Sequence, residues 1–341
     1  MVTSRSSGAQ DRSSAQGAST DTAFFRAPTP DGWLLALKRV YRKDALNSKG
    51  FPIALIPGYG MNSFIFGYHP SGLSMEAFFA ERGFEVWSVD MRGQGRSLQP
   101  SGGQRYGLHD LAVVDLATLF RFIADHTLCD GKAVHALGCS LGGSLVFAHV
   151  ALSGTDLVRS VVPMGAPLRW DKLHPIIRLF SYSPRLARWL PHKHLRELAS
   201  VVFPLALRVP WTLHAYLHPE ISDTRDYGTL LNTVNDTSPL LNQEVAQWLK
   251  DTDLCVGGQS ISGLLPRVDR PLLCVVANGD GIVPAETCLS AFQQWGSQDK
   301  TVLVVGTAKL RFAHADLFIS DYSQEHVFGP IAAWLAERNA G

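Results

Sequence analysis

Short apolar runs alternate along the chain with longer segments in which apolar residues recur at helical spacing. Runs that are apolar throughout are typical of strands buried on both faces of a parallel sheet. Six such runs occupy residues 52–57, 85–90, 132–138, 160–165, 271–277 and 301–306. Helical patterns occupy residues 74–83, 108–126, 140–154 and 329–339. This alternation predicts an α/β protein with a mostly parallel central sheet, flanked by helices on crossover connections.

The ordered chain is expected to open with an antiparallel hairpin. Residues 23–42 contain two apolar stretches separated by a Pro-Asp-Gly turn at 30–32. Residues 1–22 lack the apolar core of a secretory signal, so we predict a disordered tail there and a cytoplasmic protein. An organelle transit peptide is disfavoured because Asp11 and Asp21 interrupt the segment.

The alternation of strands and helices is interrupted once, between residues 168 and 259. This segment is rich in Leu, Arg, His, Trp and Pro and shows no clear strand. It predicts a helical cap inserted after the sixth strand, which divides the core into residues 23–167 and 260–341. Such a cap would lie above the carboxyl edge of the sheet, where open α/β folds bind their ligands.

Large apolar residues and arginines are interleaved in the first part of the predicted cap. An apolar inner face would suit a hydrophobic ligand. The same apolar residues could instead serve only to pack the cap on the core. The arginines could meet an acidic membrane surface or an anionic substrate, but a solvated outer face is the commoner explanation, and we assign them no role.

Composition narrows the class of partner. The 341 residues are 46% hydrophobic and 18% charged, with a net charge of +1, which provides no electrostatic footprint for nucleic acid. No stretch approaches the roughly 18 apolar residues of a transmembrane segment. Five cysteines without CxxC spacing indicate reduced thiols, with neither a zinc site nor a disulfide framework. We expect a small-molecule partner and leave the oligomeric state open.

The strongest chemical signal is a turn between a predicted strand and a predicted helix. Residues 138–143 are Gly-Cys-Ser-Leu-Gly-Gly, which matches G-x-S-x-G. Bulky side chains at Gly138 and Gly142 would clash in so sharp a turn, and the new helix directs its first amides at charge developing near Ser140. Without the other residues of a site, the motif could be an ordinary glycine-rich turn. We predict that Ser140 is a nucleophile.

Two backbone amides are candidates for an oxyanion hole. Leu141 follows the predicted nucleophile, and Tyr59 lies in a Pro-Gly-Tyr-Gly segment at the end of an apolar strand. Hydrolases place their second oxyanion donor at this position. An ordinary Pro-Gly turn is the alternative interpretation of residues 57–60.

A base and an orienting acid follow Ser140 in the order nucleophile, acid, histidine. Asp280 lies on the loop after the strand predicted at 271–277, and His314 lies after the strand predicted at 301–306. Either residue alone could be an ordinary loop residue, but the ordered set of three predicts a triad. Asp316 is the backup acid, although a role in capping or positioning the histidine loop fits it better.

These motifs resemble those of the α/β-hydrolase superfamily from about Phe24 to Trp334. The resemblance rests on residues 57–60, the Asp-Met-Arg-Gly-Gln-Gly-Arg-Ser loop at 90–97, the Ser140 elbow, the Asp280 loop and His314. It implies the α/β-hydrolase fold. Residues 74–95 and 109–123 also resemble the acid-lipase-like and polyhydroxyalkanoate-metabolising branches.

The chain departs from this family pattern at two positions. Pro57 stands where members often carry histidine, which removes the contacts of that histidine but keeps the amide of Tyr59. Polyhydroxyalkanoate synthases use a cysteine nucleophile, whereas this elbow presents Ser140. Cys139 is one position away and should point away from the site, which favours hydrolysis over a synthase reaction.

The predicted reaction is hydrolysis of a carboxylic ester by a serine esterase or lipase. His314 takes the proton of Ser140, Asp280 orients His314, and no metal or cofactor is required. An acyltransferase or a thioesterase with the same triad is the first alternative. A catalytically inactive hydrolase-fold binding protein is the second. Ser140 disfavours a haloalkane dehalogenase or an epoxide hydrolase, which would carry aspartate there. Substrate identity and acyl length stay open.

Overall fold

An eight-stranded sheet forms the centre of the computed structural model, which describes residues 20–100, 105–172, 183–187 and 193–339. The ten strands, numbered along the chain, are β1 (Asp21–Pro28), β2 (Leu34–Tyr41), β3 (Ile53–Ile56), β4 (Val86–Asp90), β5 (Val134–Cys139), β6 (Val158–Met164), β7 (Cys255–Val256), β8 (Gln259–Ser260), β9 (Leu272–Ala277) and β10 (Lys300–Val305). The order in the large sheet is β1-β2-β4-β3-β5-β6-β9-β10.

The pairing of these strands confirms the predicted fold class. Strand β2 is antiparallel to β1 and β4, and all other pairs in the large sheet are parallel. Every residue of the central strands β3, β4, β5 and β9 is buried, which explains why the sequence shows continuous apolar runs there. The opening hairpin is also confirmed, and β1 begins at Asp21, inside the predicted tail. Residues 1–19 of that tail lie outside the described residues.

Helices cover both faces of the sheet. They are α1 (Phe64–Gly67), α2 (Met75–Glu81), α3 (Leu116–His126), α4 (Leu141–Leu152), α5 (Pro184–Ala187), α6 (Leu195–Leu207), α7 (Tyr227–Leu230), α8 (Pro239–Asp251), α9 (Ile261–Leu264), α10 (Ala285–Gln294), α11 (Asp316–Ile319) and α12 (Gly329–Asn339). A π-helical turn, Asp110–Asp115, precedes α3, so the helix predicted at 108–126 is not uniformly α-helical.

Two apolar clusters fill the two sides of the sheet. One contains Trp87, Phe120 and Phe147, and the other contains Phe79 and Phe328. Among the described residues, none of the helices combines the length and the apolarity needed to traverse a bilayer. All five cysteines have free thiols.

The segment between β6 and β9 carries helices α5 to α9. It also contains the hairpin of β7 and β8, two short strands that pair only with each other. The expectation that this segment contains no strand is therefore wrong. The apolar residues of the segment differ in burial. Trp170, Leu213 and Leu217 are buried, whereas helix α6 buries none of its residues. Packing of this segment against the rest of the protein therefore accounts for only part of its apolar content.

Candidate active site

Ser140 lies at the junction of β5 and α4 in a strained backbone conformation. Its φ of 50° and ψ of −122° fall in a region that few non-glycine residues adopt. A Cβ atom on Gly138 would lie 2.4 Å from the Cα of Gly143, and one on Gly142 would lie 2.4 Å from the carbonyl oxygen of Ile56. Backbone stands where these side chains would go, so the turn requires both glycines.

Asp280 follows β9 and has its two carboxylate oxygens held separately. Oδ1 accepts hydrogen bonds from the amides of Ile282 and Val283, both at 2.8 Å. Oδ2 lies 2.6 Å from Nδ1 of His314 and accepts its proton, because a carboxylate can only accept. The Asp280 side chain is fully buried. The carboxylate is therefore fixed by the backbone of its own loop and holds the imidazole on one side.

His314 lies on the loop after β10, against the end of β6. A Cβ atom on Gly165 would lie 3.1 Å from both Cε1 and Nδ1 of His314. The neighbouring Met164 accepts a hydrogen bond of 2.9 Å from the amide of Ser140. Ser140 and His314 therefore border the same strand end. Within the described part of the chain, the Ser140 hydroxyl makes no hydrogen bond, to His314 or to any other group.

Three sequence-predicted residues thus come to one edge of the sheet, and the structure joins only two of them by a hydrogen bond. Contacts between nucleophile and base are often long before substrate binds, so this arrangement is compatible with a triad. Cys139, the residue before Ser140, is buried in the apolar core on one side of the sheet. The expectation that its thiol points away from the site stays a prediction.

Asp316 has other partners than the imidazole of His314. It is fully buried and accepts hydrogen bonds from the amide of Ala313 at 2.8 Å, from the Nδ1 of His218 at 2.9 Å and from the hydroxyl of Ser222 at 2.7 Å. The amide of His218 donates to the same carboxylate. Asp316 therefore joins the loop of His314 to the segment between β6 and β9, which favours the positioning role over that of a backup acid.

The amides of Tyr59 and Leu141 lie on the two segments that border Ser140. A Cβ atom on Gly58 would lie 3.2 Å from the Cβ of Ser140, which shows how closely the loop after β3 approaches the elbow. Neither amide donates a hydrogen bond to another described residue.

A small cavity of about 10 Å³ lies at this place, with room for about one water molecule. Its wall includes Tyr59, Leu141, Arg92, Tyr106, Asp236 and Thr237.

The structure adds residues that sequence reasoning missed. The buried guanidinium of Arg92 lies 2.7 Å from the carboxylates of both Asp31 and Asp115, so it fixes the loop after β4 beside the cavity. The motif at residues 90–97 contains Arg92, but the sequence did not identify its ion-pair partners.

Tyr216 lies beside His314 with 6.5 Å between ring centroids, and its carbonyl accepts from the amide of Ala315. No sequence signal identified Tyr216 or His218, because the path of their segment over the sheet depends on tertiary packing.

Comparison with known proteins places this geometry among related folds. Residues 52–309 match a family model described as alpha/beta hydrolase fold. An esterase from Thermogutta terrifontis is similar in structure, with a TM-score of 0.60 at 17% identity over 93% of this chain and 99% of that one. An esterase from Exiguobacterium antarcticum gives 0.59 at 17% identity over 92% and 99%. A monoacylglycerol lipase from Paleococcus ferrophilus gives 0.56 at 16% identity over 94% and 99%.

Proposed function

The chain belongs to the alpha/beta hydrolase fold family, and from this premise we propose that it is a serine hydrolase that cleaves a carboxylic ester. Ser140 is the nucleophile, His314 the general base and Asp280 the acid that orients the base. The observation that carries the proposal is the 2.6 Å hydrogen bond between Asp280 and His314 at the strand end that also holds Ser140. The similarity to two esterases and a monoacylglycerol lipase supports esters as the substrate class.

In the proposed reaction, Asp280 keeps the Nδ1 proton of His314 in place, so that Nε2 is free to accept. His314 takes the proton of the Ser140 hydroxyl while the oxygen attacks the ester carbonyl. The amides of Tyr59 and Leu141 stabilise the negative charge that develops on the carbonyl oxygen. The alcohol leaves with the proton from His314, and a water molecule repeats the sequence on the acyl-enzyme.

The size of the cavity bears on how the substrate enters. Pockets for drug-sized ligands have volumes of roughly 300 to 1,000 Å³, far more than the cavity beside Tyr59 and Leu141. An acyl group therefore does not fit in this cavity as it stands. The apolar residues that the segment between β6 and β9 buries, such as Leu213 and Leu217, favour a hydrophobic acyl group.

Labelling with a fluorophosphonate probe, followed by peptide mapping, tests the proposal directly. We expect the modification on Ser140, its loss in Ser140→Ala, and turnover of p-nitrophenyl esters by the unmodified protein. A series of increasing acyl length on the same preparation then defines the acyl preference. An unlabelled, inactive protein would instead support the hydrolase-fold binding protein, and labelling at another residue would overturn the assignment.

A thioesterase or an acyltransferase would give the same labelling, because it uses the same nucleophile. Product analysis separates hydrolysis from acyl transfer, and a comparison of matched ester and thioester substrates separates an esterase from a thioesterase. Free carboxylic acid as the main product in water supports ester hydrolysis, and transfer to an added alcohol in preference to water would indicate an acyltransferase.

A further inference from the structure

Helix α6 presents apolar residues to solvent on its outer face. Leu198, Val201, Val202 and Leu205 follow the spacing i, i+3, i+4 and i+7, so they share one side of the helix. All four are exposed, Val201 to 62% and Leu205 to 55%. A surface helix normally turns its polar residues outward. This outer face is therefore a candidate interaction surface.

Exposed apolar residues continue beyond the end of the helix. Trp211 is 73% exposed, and Val209 is exposed as well. We call the surface formed by Leu198, Val201, Val202, Leu205 and Trp211 the α6 apolar face. A tryptophan with an exposed ring is typical of proteins that insert side chains at the boundary between lipid headgroups and acyl chains.

The opposite side of α6 contacts the rest of the protein, so the helix is not detached from the fold. Phe203 packs against Tyr227 with 5.8 Å between ring centroids. The guanidinium of Arg196 donates to the carbonyls of Asn232 and Val234 at 3.0 and 3.1 Å. The inner face thus has its partners within the fold, and the outer apolar face is available for another surface.

Charge around the α6 apolar face is predominantly positive. Residues 193–212 contain three basic residues, Lys193, Arg196 and Arg208, and one acidic residue, Glu197. All four are exposed. Because the guanidinium of Arg196 is bound to carbonyls on the inner side, Lys193 and Arg208 are the basic residues offered to a lipid surface. Basic residues beside an apolar helix face complement anionic lipid headgroups. We propose that the α6 apolar face docks the protein on an anionic lipid surface.

Both ends of the docking segment are connected to the candidate active site. At its start, the amide of Leu195 donates to Asp236, which lines the cavity beside Tyr59 and Leu141. Beyond its end, the carbonyl of Tyr216 accepts from the amide of Ala315, next to His314. Docking would therefore place the site beside a lipid surface. That the site acts on lipid esters rests on the proposed function, whereas the docking does not.

Vesicle co-sedimentation of the full chain tests the docking. We expect binding to vesicles that contain phosphatidylglycerol, and weaker binding to phosphatidylcholine alone or at high salt. The double variant Val201→Glu/Leu205→Glu should lower the partition coefficient at least about tenfold, because two apolar side chains no longer enter the lipid. Val304→Glu is the matched control, since Val304 is 59% exposed on the edge strand β10. It should bind like the unmodified protein.

Fluorescence provides a second readout that does not depend on the double variant folding. Vesicles should shift the tryptophan emission of the unmodified protein to the blue. Although the chain contains eight tryptophans, Trp211→Phe should remove most of this shift, because Trp211 belongs to the α6 apolar face. A shift that persists in Trp211→Phe would overturn the proposed orientation of the face.

Three other outcomes would overturn the proposal. They are no binding by the unmodified protein, undiminished binding by the double variant, and a dimer in solution that the double variant dissociates, which would mean that a second copy covers the face. Equal binding to neutral and anionic vesicles would refute the electrostatic contribution. Because these assays measure binding and can be repeated with Ser140→Ala, which should not cleave the phospholipid esters, their failure is distinguishable from a failure of the proposed activity. Turnover of a short soluble ester should be unchanged in the double variant.

Discussion

At the scale of single residues, the hydroxyl of Ser140 is the group on which the proposed chemistry depends. Ser140→Ala should lower ester turnover by at least about 10⁴-fold, because removal of a triad nucleophile leaves only binding and oxyanion stabilisation. Thermal unfolding should change little, since the Ser140 hydroxyl makes no hydrogen bond within the described residues. Steady-state kinetics and a melting curve on one preparation check both parts.

Ser144 offers a matched control one helical turn further along α4. Its hydroxyl donates to the carbonyl of Pro167 at 2.5 Å and is buried. Ser144→Ala should therefore cost about 1 kcal/mol of stability and leave turnover largely intact. If Ser144→Ala abolished turnover and Ser140→Ala did not, the nucleophile would be misassigned.

Asp280 and Asp316 are both buried carboxylates beside His314, yet their contacts predict opposite consequences of the same substitution. Asp280→Asn should lower kcat by about 10⁴-fold, because the amide no longer fixes the imidazole tautomer that can accept a proton. Asp316→Asn should lower kcat by at most about 10²-fold, because it displaces the loop without removing a contact to the imidazole.

The free energy of unfolding should rank these two variants in the opposite order, with the larger loss of stability in Asp316→Asn. Asp316 accepts from His218, Ser222 and Ala313, so Asp316→Asn should cost about 2 to 4 kcal/mol in urea unfolding. A large loss of kcat in Asp316→Asn with unchanged stability would identify Asp316 as the orienting acid instead.

At the scale of elements, the turn from β5 into α4 depends on glycines whose surroundings are backbone. A Cβ atom at Gly142 would lie 2.4 and 2.6 Å from the carbonyl oxygens of Ile56 and Pro57. Gly142→Ala should therefore displace the end of β3 and with it the amide of Tyr59. We expect both a lower melting temperature and a lower kcat.

Gly263 in α9 provides the comparison, because a Cβ atom there meets only Ser260 Oγ at 3.5 Å, an ordinary contact. Gly263→Ala should be neutral or slightly stabilising, since alanine favours helix. Equal effects of the two substitutions would show that the elbow tolerates a side chain after all.

Elements with a regular pattern of burial were predictable from the sequence, and the reason is physical. The strand predicted at 271–277 is β9, Leu272–Ala277, and the helix predicted at 329–339 is α12, with the same bounds. Burial of every residue of β9 imposes a continuous apolar run, and burial of one side of α12 imposes apolar residues at helical spacing. The hairpin of β7 and β8 escaped prediction because two-residue strands leave no periodic pattern. The π-helical turn before α3 looks like α-helix in sequence, since both bury one apolar side.

At the scale of the whole molecule, the sequence identified which residues could meet but not how they meet. The carboxyl ends of parallel strands share one edge, so Ser140, Asp280 and His314 were predicted to converge there. The hydrogen bond between Asp280 and His314, the separate role of Asp316 and the contact of Tyr216 with His314 depend on how the segment between β6 and β9 lies over that edge. Packing between segments distant in sequence decides these contacts, and local patterns carry no record of it.

His135 connects the centre of the sheet with the last helix and makes stability depend on pH. Its Nδ1 lies 2.7 Å from the hydroxyl of Ser160, and its Nε2 lies 3.0 Å from Oδ1 of Asn339 at the end of α12. A neutral imidazole satisfies both partners, because Nε2 donates to the amide oxygen and Nδ1 accepts from the hydroxyl. Burial lowers the pKa of His135 from 6.5 to about 4, although the hydrogen bond to Asn339 opposes this shift.

Because the folded pKa lies below the unfolded one, the unfolded chain binds a proton at His135 first as pH falls. The contribution of neutral His135 to stability is complete above pH 6.5 and declines by about 1.4 kcal/mol per pH unit between pH 6.5 and 4. Guanidinium unfolding of the unmodified protein and of His135→Gln should therefore give free energies of unfolding that converge as pH falls through this range.

His149, whose pKa is also lowered by burial, contributes to both curves and cancels in their difference. His194→Gln, at a side chain that is 78% exposed, is the control and should give a curve parallel to that of the unmodified protein. Parallel curves for His135→Gln would mean that His135 binds a proton as readily in the folded as in the unfolded protein, with Nδ1 donating to the hydroxyl of Ser160 instead of accepting from it.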